Sequence, residues 1–408
     1  MATYLVFLIA WGNMSPQMAQ MLALHSVNDA KRLRWQCKQC DAQSSASTDT
    51  PNLSEDLLRL ARLGGQGKHP ENVSKEFFDA WGSRSKLPFP FEAQITFKSG
   101  VATTSMMLPH ELFATIYHQY PVSFKKRILG AGPEPFWDAV KHHPQMTNHP
   151  LKLRVGYKKR AIPIGFHGDG VPVTGIGKVS SRLMDVFSWT SILSGGKTIQ
   201  VNYLIWGVYQ VALSKGDVVT LDEFFTILKW SLEALNEGKW PRADHHKREY
   251  NPRSPQGKRA GTALAAGYFG VLWGIMGDLD YFASDLGLPR FSAASPCTLC
   301  RCCNEGPAFW SDFRQNAAWI EECWTNEEWL AWDGRSTSPL FTMPGVTGLT
   351  VALDYMHCKY LGMDQYMFGS VMYVLCYFVM PDEPLKHLKA CWTFIQAAVR
   401  VSTEAINV

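Results

Sequence analysis

The stretch Ala161–Val173, AIPIGFHGDGVPV, decides the reading of the fold. Its apolar residues Ile162, Ile164 and Phe166 stop at His167-Gly168-Asp169-Gly170. A short apolar run bounded by Gly and Pro reads as a buried strand. A carboxylate between two glycines at the end of such a strand is held on a rigid element, and the open backbone lets a phosphate or a metal come close. Taken alone, the same residues favour an ordinary Gly-Asp-Gly turn. A second acid in the same setting shifts the balance. Gly267–Met276 (GYFGVLWGIM) is another buried strand, and it runs directly into Gly277-Asp278-Leu279-Asp280.

Between these two strands the pattern predicts strands at Val186–Leu193 and Tyr203–Gln210, the first strand itself covering Ile162–His167. A helix comes next, with Leu221, Phe224, Phe225, Leu228, Leu232 and Leu235 at helical spacing. Thr220 and Glu223 form a capping box at its start, and Gly238 stops it. Three strands, a helix and a fourth strand describe an α/β protein. Asp169 and Asp278 lie roughly a hundred residues apart in the chain. They would project at the same strand ends if the first and fourth strands were parallel neighbours, and sites form at such ends. This order and acid placement resemble a ribonuclease H-like mixed sheet flanked by helices. Pro163 cannot donate to a central ladder, so the strand proper should begin there.

Composition sets the outer limits. The chain has 408 residues, 46% of them hydrophobic and 19% charged, which is the profile of a globular protein. Its texture divides it into a mostly helical N-terminal region (1–150), a core of strands and first helix (151–290), a Cys/Trp-rich insertion (291–352) and C-terminal helices (353–408). In the first region Ser54–Leu63 and His110–His118 read as helical and Gln94–Met107 as a hairpin. The apolar stretches Tyr4–Trp11 and Tyr366–Met380 are too short to span a membrane. No membrane partner is expected, and the protein is placed inside the cell. The cysteines agree, because they cluster as CxxC pairs and do not spread as a disulfide framework.

A net charge of +4 is too small to announce a nucleic-acid binder, but its distribution is uneven. Lys152–Arg160, KLRVGYKKR, has five basic residues and no acid. Read as a strand, it puts Lys152, Arg154, Lys158 and Arg160 on one face and Leu153, Val155 and Tyr157 on the other. It is either a solvated edge guarded by lysines or a phosphate-tracking face. The segment Lys239–Arg259 is a basic loop with His245-His246 inside it. Lys158, Lys159, Arg160, Lys247, Arg248, Lys258 and Arg259 are the candidate DNA contacts.

Ser295–Cys303, SPCTLCRCC, holds overlapping CxxC pairs. Such a turn places two thiolates for one tetrahedral zinc, with Zn–S bonds near ~2.3 Å. Cys297 and Cys300 are the first pair, and Cys323, His357 and Cys358 are candidates for the rest. Cys37 and Cys40 form a lone pair that reads as ordinary reduced cysteines. Asp354 and His357 in LDYMHCKYLG stand three apart, on one face if a helix begins there. The chain beyond them is apolar all round up to Pro381, which predicts a buried helix.

HGDGVPV, GDLDYFASDLGLP, the CTLC pair and LDYMHCKYLG, in this order, resemble the catalytic region of CACTA (En/Spm-like) DNA transposases and their Plavaka-type relatives. The resemblance covers Lys152–Met372. It implies that Asp169 and Asp278 match the first two metal-binding acids, Cys297 and Cys300 the CxxC, and Asp354 with His357 the Asp-x-x-His. The third acid stays open between Asp354, Glu404 and a residue outside the chain. The activity implied is strand cleavage and transfer on DNA, with Mg²⁺ or Mn²⁺ as cofactor, Zn²⁺ as a structural ion, a nuclear location and room for a homo-oligomer. The rival is a catalytically inactive descendant that binds DNA, or a zinc-stabilised interaction module anchored on tryptophans.

Overall fold

The computed structural model describes residues 86–174, 182–196, 198–217, 219–354, 359, 363–379, 383 and 386–393. The expected helix at Ser54–Leu63, the pair Cys37 and Cys40, His357, Cys358 and Glu404 lie outside them. Contacts group the described chain into two units: residues up to Gly274 with Ser338–Val346, and Ile275–Thr337 with those from Thr347 on. The boundary passes through a strand.

In the first unit, β1 (Phe91–Phe97) and β2 (Gly100–Met106) form an antiparallel hairpin with Phe97 opposite Gly100. Gly100 has φ +112°, open to glycine and strained for other residues. Helix α1 (Pro109–Gln119) comes after the hairpin, with proline in its first turn, where no N–H is needed. The sheet contains β3 (Ala161–Thr174), β4 (Arg182–Ser191), β5 (Tyr203–Tyr209), β6 (Phe269–Gly277) and β7 (Val351–Leu353) in the order β5-β4-β3-β6-β7. β4 is antiparallel to both β3 and β5, whereas β6 and β7 are parallel, so the sheet is mixed. An α/β class with helices against a mixed sheet therefore holds.

Strand alternation assigns the two faces of β3. Ile162, Ile164 and Phe166 turn toward α2 (Thr220–Glu237), where Phe166 meets Phe225 at 6.3 Å between ring centroids. Phe224 sits 4.7 Å from both Phe187 and Trp206. Phe166, Phe187, Phe224 and Phe225 are fully buried, each side chain contributing about 1.5–3 kcal/mol. Gly270 makes the approach of α2 workable: a Cβ there would stand 2.8 Å from Leu235 and 2.9 Å from Ile164. Ala161, Phe269 and Val271 pack with Trp137, Met146 and Leu151 in a second cluster. Trp137 donates from Nε1 to the Ala161 carbonyl at 2.8 Å and lies edge-on to Trp273 at 5.3 Å. The basic loop after α2 ends in a short helix, α3 (Pro255–Arg259), capped by Ser254 Oγ, which accepts from Gly257 N–H at 3.0 Å.

Several expectations are corrected. β3 starts at Ala161 and runs to Thr174, so Asp169 is inside the strand and not at its end. Pro163 is accommodated because its carbonyl accepts from Ile192 N–H, just past β4, so its missing donor falls where that ladder stops. The capping box does not close. Thr220 Oγ1 instead donates to Thr96 O at 2.6 Å, and Glu223 accepts from Thr96 N–H at 2.6 Å, so a partner on β1 outcompetes the local one. Gly238 does end α2, with φ +73°.

Lys152–Arg160 is not a strand. It forms a 3₁₀ turn at Pro150–Leu153 and a helical turn at Tyr157–Arg160 that starts from left-handed Gly156. Leu153 and Val155 are exposed, so no apolar face exists to hold it against a sheet. Arg154 lies over the Phe269 ring at 3.5 Å, covering the core with its planar group.

In the second unit, the end of β6 pairs with β7 in the register Ile275–Val351, Met276–Ala352, Gly277–Leu353. Helix α4 (Leu279–Ser284) leaves the end of β6. Trp329 is fully buried, and a Cβ on Gly348 would come within 2.4 Å of its Nε1. Trp324 and Trp332 stack at 5.2 Å. Helix α5 (Gln365–Val374) is exposed, with Tyr366 74% and Phe368 67% accessible, against the expected burial. Its largely apolar side chains include none that is buried.

Candidate functional site

Asp169 stands opposite Val186 on β4, half-buried, between Gly168 and Gly170. Alternation puts it on the face of β3 away from α2. Among the described residues its carboxylate has no hydrogen bond or ion pair. A half-buried charge without a protein partner is costly unless solvent or a cation compensates it. Sequence reasoning alone misses Asp185, opposite Gly170, which is buried and accepts from Gln210 Nε2 at 2.7 Å. An acid inside LMDVFSW is the available signal.

Asp278 and Asp354 belong together. Each directly succeeds one of the register partners Gly277 and Leu353, and Asp354 N–H donates to Gly277 O at 3.3 Å. They therefore emerge side by side from the carboxyl ends of two parallel strands. Asp278 also caps α4, its Oδ1 accepting from Tyr281 N–H at 2.7 Å. Oδ2 has no hydrogen-bond partner among the described residues and can face a cation.

The cysteine cluster differs from the expected ligand set. Cys297, Cys300 and Cys302 bring their sulfurs within 4.8 Å of one another, so Cys302 joins the expected pair. Leu299 N–H donates to Cys297 Sγ at 3.3 Å, which holds that sulfur against the turn. Arg301 N–H bonds to Glu322 O and Trp324 N–H to Leu299 O, which pins this turn against 322–324. Cys323 stands across an antiparallel bridge from Cys300. Burial, together with the adjacent Cys297 and Cys302 sulfurs, pushes the Cys300 thiol up to about 12, and burial raises Cys302 as well. Three sulfurs this close together suit a metal, which replaces thiol protons as it binds. Soft sulfur donors favour zinc over a hard ion.

The seven candidate DNA contacts separate into two groups. Lys158 pairs with Asp138 at 2.5 Å, Arg248 with Asp244 at 2.7 Å and Arg259 with Glu111 at 2.7 Å. Arg259 is also stacked on Trp240 at 3.8 Å. Arg160 donates to Ala266 O at 3.2 Å but has no acid partner, and Lys159, Lys247 and Lys258 have none either among the described residues. Arg248 and Arg259 thus help build the loop that carries them. Lys247 adopts φ +64°, in a turn whose amides His246 N and Arg248 N both bond to Asp244.

Among the described residues no helix is long and apolar enough to cross a membrane. Set against models of protein families and against curated proteins, the chain matches none.

Proposed function

We propose that the chain cleaves and rejoins DNA strands by two-metal phosphoryl transfer, in the manner of the transposases it resembles. The observation that carries this reading is Asp169, a half-buried carboxylate on a central strand, between two glycines, with no partner among the described residues. Support comes from the strand order, in which an antiparallel trio precedes a parallel pair, as a ribonuclease H-like sheet requires. Asp278 and Asp354, side by side past the ends of that pair, are the carboxylates the resemblance gives as the second acid and as a candidate third. Oxygen donors of this kind suit Mg²⁺ or Mn²⁺. If held by these carboxylates, such ions would supply positive charge to offset the charge that develops in an in-line phosphoryl displacement. The chain's own part is to fix Asp169 within β3 and Asp278 and Asp354 just past the ends of β6 and β7, and to hold the DNA backbone with Lys159, Arg160, Lys247 and Lys258.

The cysteine cluster would bind Zn²⁺ as a structural ion through Cys297, Cys300 and Cys302. A nuclear location goes with a DNA substrate.

The test is nicking of supercoiled plasmid DNA with Mg²⁺ or Mn²⁺. Wild-type protein should nick, and Asp169→Asn and Asp278→Asn should each fall to background. Inactivity of every variant, wild type included, would sink the proposal. One observation favours a non-catalytic DNA-binding descendant as the second reading: capping α4 accounts for Asp278 without any metal.

A further inference from the structure

Cys297, Cys300 and Cys302 bring three sulfurs within 4.8 Å of one another, whereas a structural zinc takes four protein ligands. With three, the fourth position goes to water, which is the arrangement of a hydrolytic zinc. The side chain that closes the shell therefore decides what the metal can do.

Two further cysteines lie in the same insertion, Cys303 and Cys323. Cys300 and Cys302 stand two apart in a stretch bridged at Cys300 and at Cys303. In extended backbone such residues share a side and the next one takes the other, which turns Cys303 away from the cluster. Cys303 is instead tied to the loop 304–309. Its N–H donates to Ala308 O at 2.9 Å, and a Cβ on Gly306 would stand 3.4 Å from its Sγ.

Cys323 is placed differently. It pairs with Cys300 across an antiparallel bridge whose hydrogen bonds lie one residue out on each side. Arg301 N–H donates to Glu322 O at 2.9 Å, and Trp324 N–H to Leu299 O at 3.0 Å. That pattern makes Cys300 and Cys323 a non-hydrogen-bonded pair, the kind whose side chains are closer, with Cα atoms about 4.5 Å apart. Both side chains leave on one face, with Cβ atoms about 4.5–5.5 Å apart. Sulfurs around a zinc with bonds near ~2.3 Å are about 3.8 Å from one another. A turn about χ1 can bring Cys323 to that separation. Its exposed thiol donates only to Ile320 O, at 3.8 Å, so little holds it where it stands.

We propose that Cys323 closes a four-thiolate zinc site with Cys297, Cys300 and Cys302, leaving the ion no position for a reacting water. The proposal rests on the reading of this cluster as a zinc centre. It departs from the set that the resemblance implies, because His357 takes no part. Each thiol gives up its proton to solvent as the ion binds, and the ion fastens the turn 297–302 to the segment 322–324.

The full chain is loaded with one equivalent of Zn²⁺ under reductant, and the metal's shell is read by X-ray absorption. Wild type and Cys303→Ser should show four sulfurs, and Cys323→Ser three with one oxygen or nitrogen. Iodoacetamide labelling, mapped by mass spectrometry, is a second measurement that needs no variant. Zinc should suppress labelling of Cys323 and leave that of Cys303 unchanged. Three sulfurs with a nitrogen or oxygen in the wild type overturn the proposal, a nitrogen pointing to His357. Four sulfurs kept in Cys323→Ser, or a Cys323 that labels as fast with zinc as without it, overturn it while leaving the zinc reading intact. A wild type that takes up no zinc ends both.

Discussion

Asp278 can be asked which of two tasks it performs. As the cap of α4 it accepts from Tyr281 N–H, and asparagine can do the same. Asp278→Asn should therefore melt with the wild type yet lose nicking, because only the charge is gone. Asp278→Ala should lose nicking and also about 1 kcal/mol of stability in urea denaturation. Equal nicking by wild type and Asp278→Asn would reduce the residue to a cap. His110 illustrates a different cost. Burial, and then the charge of Arg259, hold it down at about 3, and burial with Lys152 holds His149 at about 4. The unfolded chain takes up these protons near the ordinary value of 6.5, and the folded chain does not. Stability should thus be full above that pH and fall by about 1.4 kcal/mol per pH unit per histidine below it, down to the folded values. Urea midpoints measured between about pH 7 and pH 5 should show the fall, and His110→Gln should flatten it by one proton's worth.

α2 holds the β1–β2 hairpin against the sheet through polar contacts as well as its apolar face. Thr220 is fully buried, donating to Thr96 O and accepting from Ser214 N–H, while Glu223 takes Thr96 N–H. Thr220→Val removes a hydrogen bond from each of these backbone groups and should cost about 1–3 kcal/mol in denaturant unfolding. Phe224→Ala should cost about 3–5 kcal/mol, since its ring fills the space between Phe187 and Trp206. The periodicity of Leu221 to Leu235 makes α2 legible in the sequence, and Gly238 makes its end legible. Its beginning is misread because a capping box is a local rule, and Thr96 is more than a hundred residues away in the chain.

Two measurements address each unit as a body. The three sulfurs of Cys297, Cys300 and Cys302 should carry one zinc per chain by metal analysis. Chelation should lower the melting temperature of the second unit, and Cys302→Ser should lose most of the metal, which an auxiliary role for Cys302 would not produce. DNA affinity reports on the loop of the first unit. Six cation contacts would give a log–log salt slope near about −5, but only Lys159, Arg160, Lys247 and Lys258 lack an acid partner among the candidates. The slope expected is therefore about −3 to −4. A flat salt dependence would remove the loop from the interface.

Alternation of apolar residues is enough to locate β3, β5, β6 and α2, because burial on a sheet or helix face repeats at a fixed period. Glycine-flanked Asp169 and the strand-end Asp278 can be singled out for the same reason. Pairing across the sheet cannot be read that way. That Asp354 emerges beside Asp278 depends on the parallel register of Gly277 with Leu353, a long-range choice made by packing. Nor can the sequence tell that Cys302 joins Cys297 and Cys300, or that Arg248, Arg259 and Lys158 have acid partners, since charge pairing and side-chain convergence are fixed only once distant segments meet.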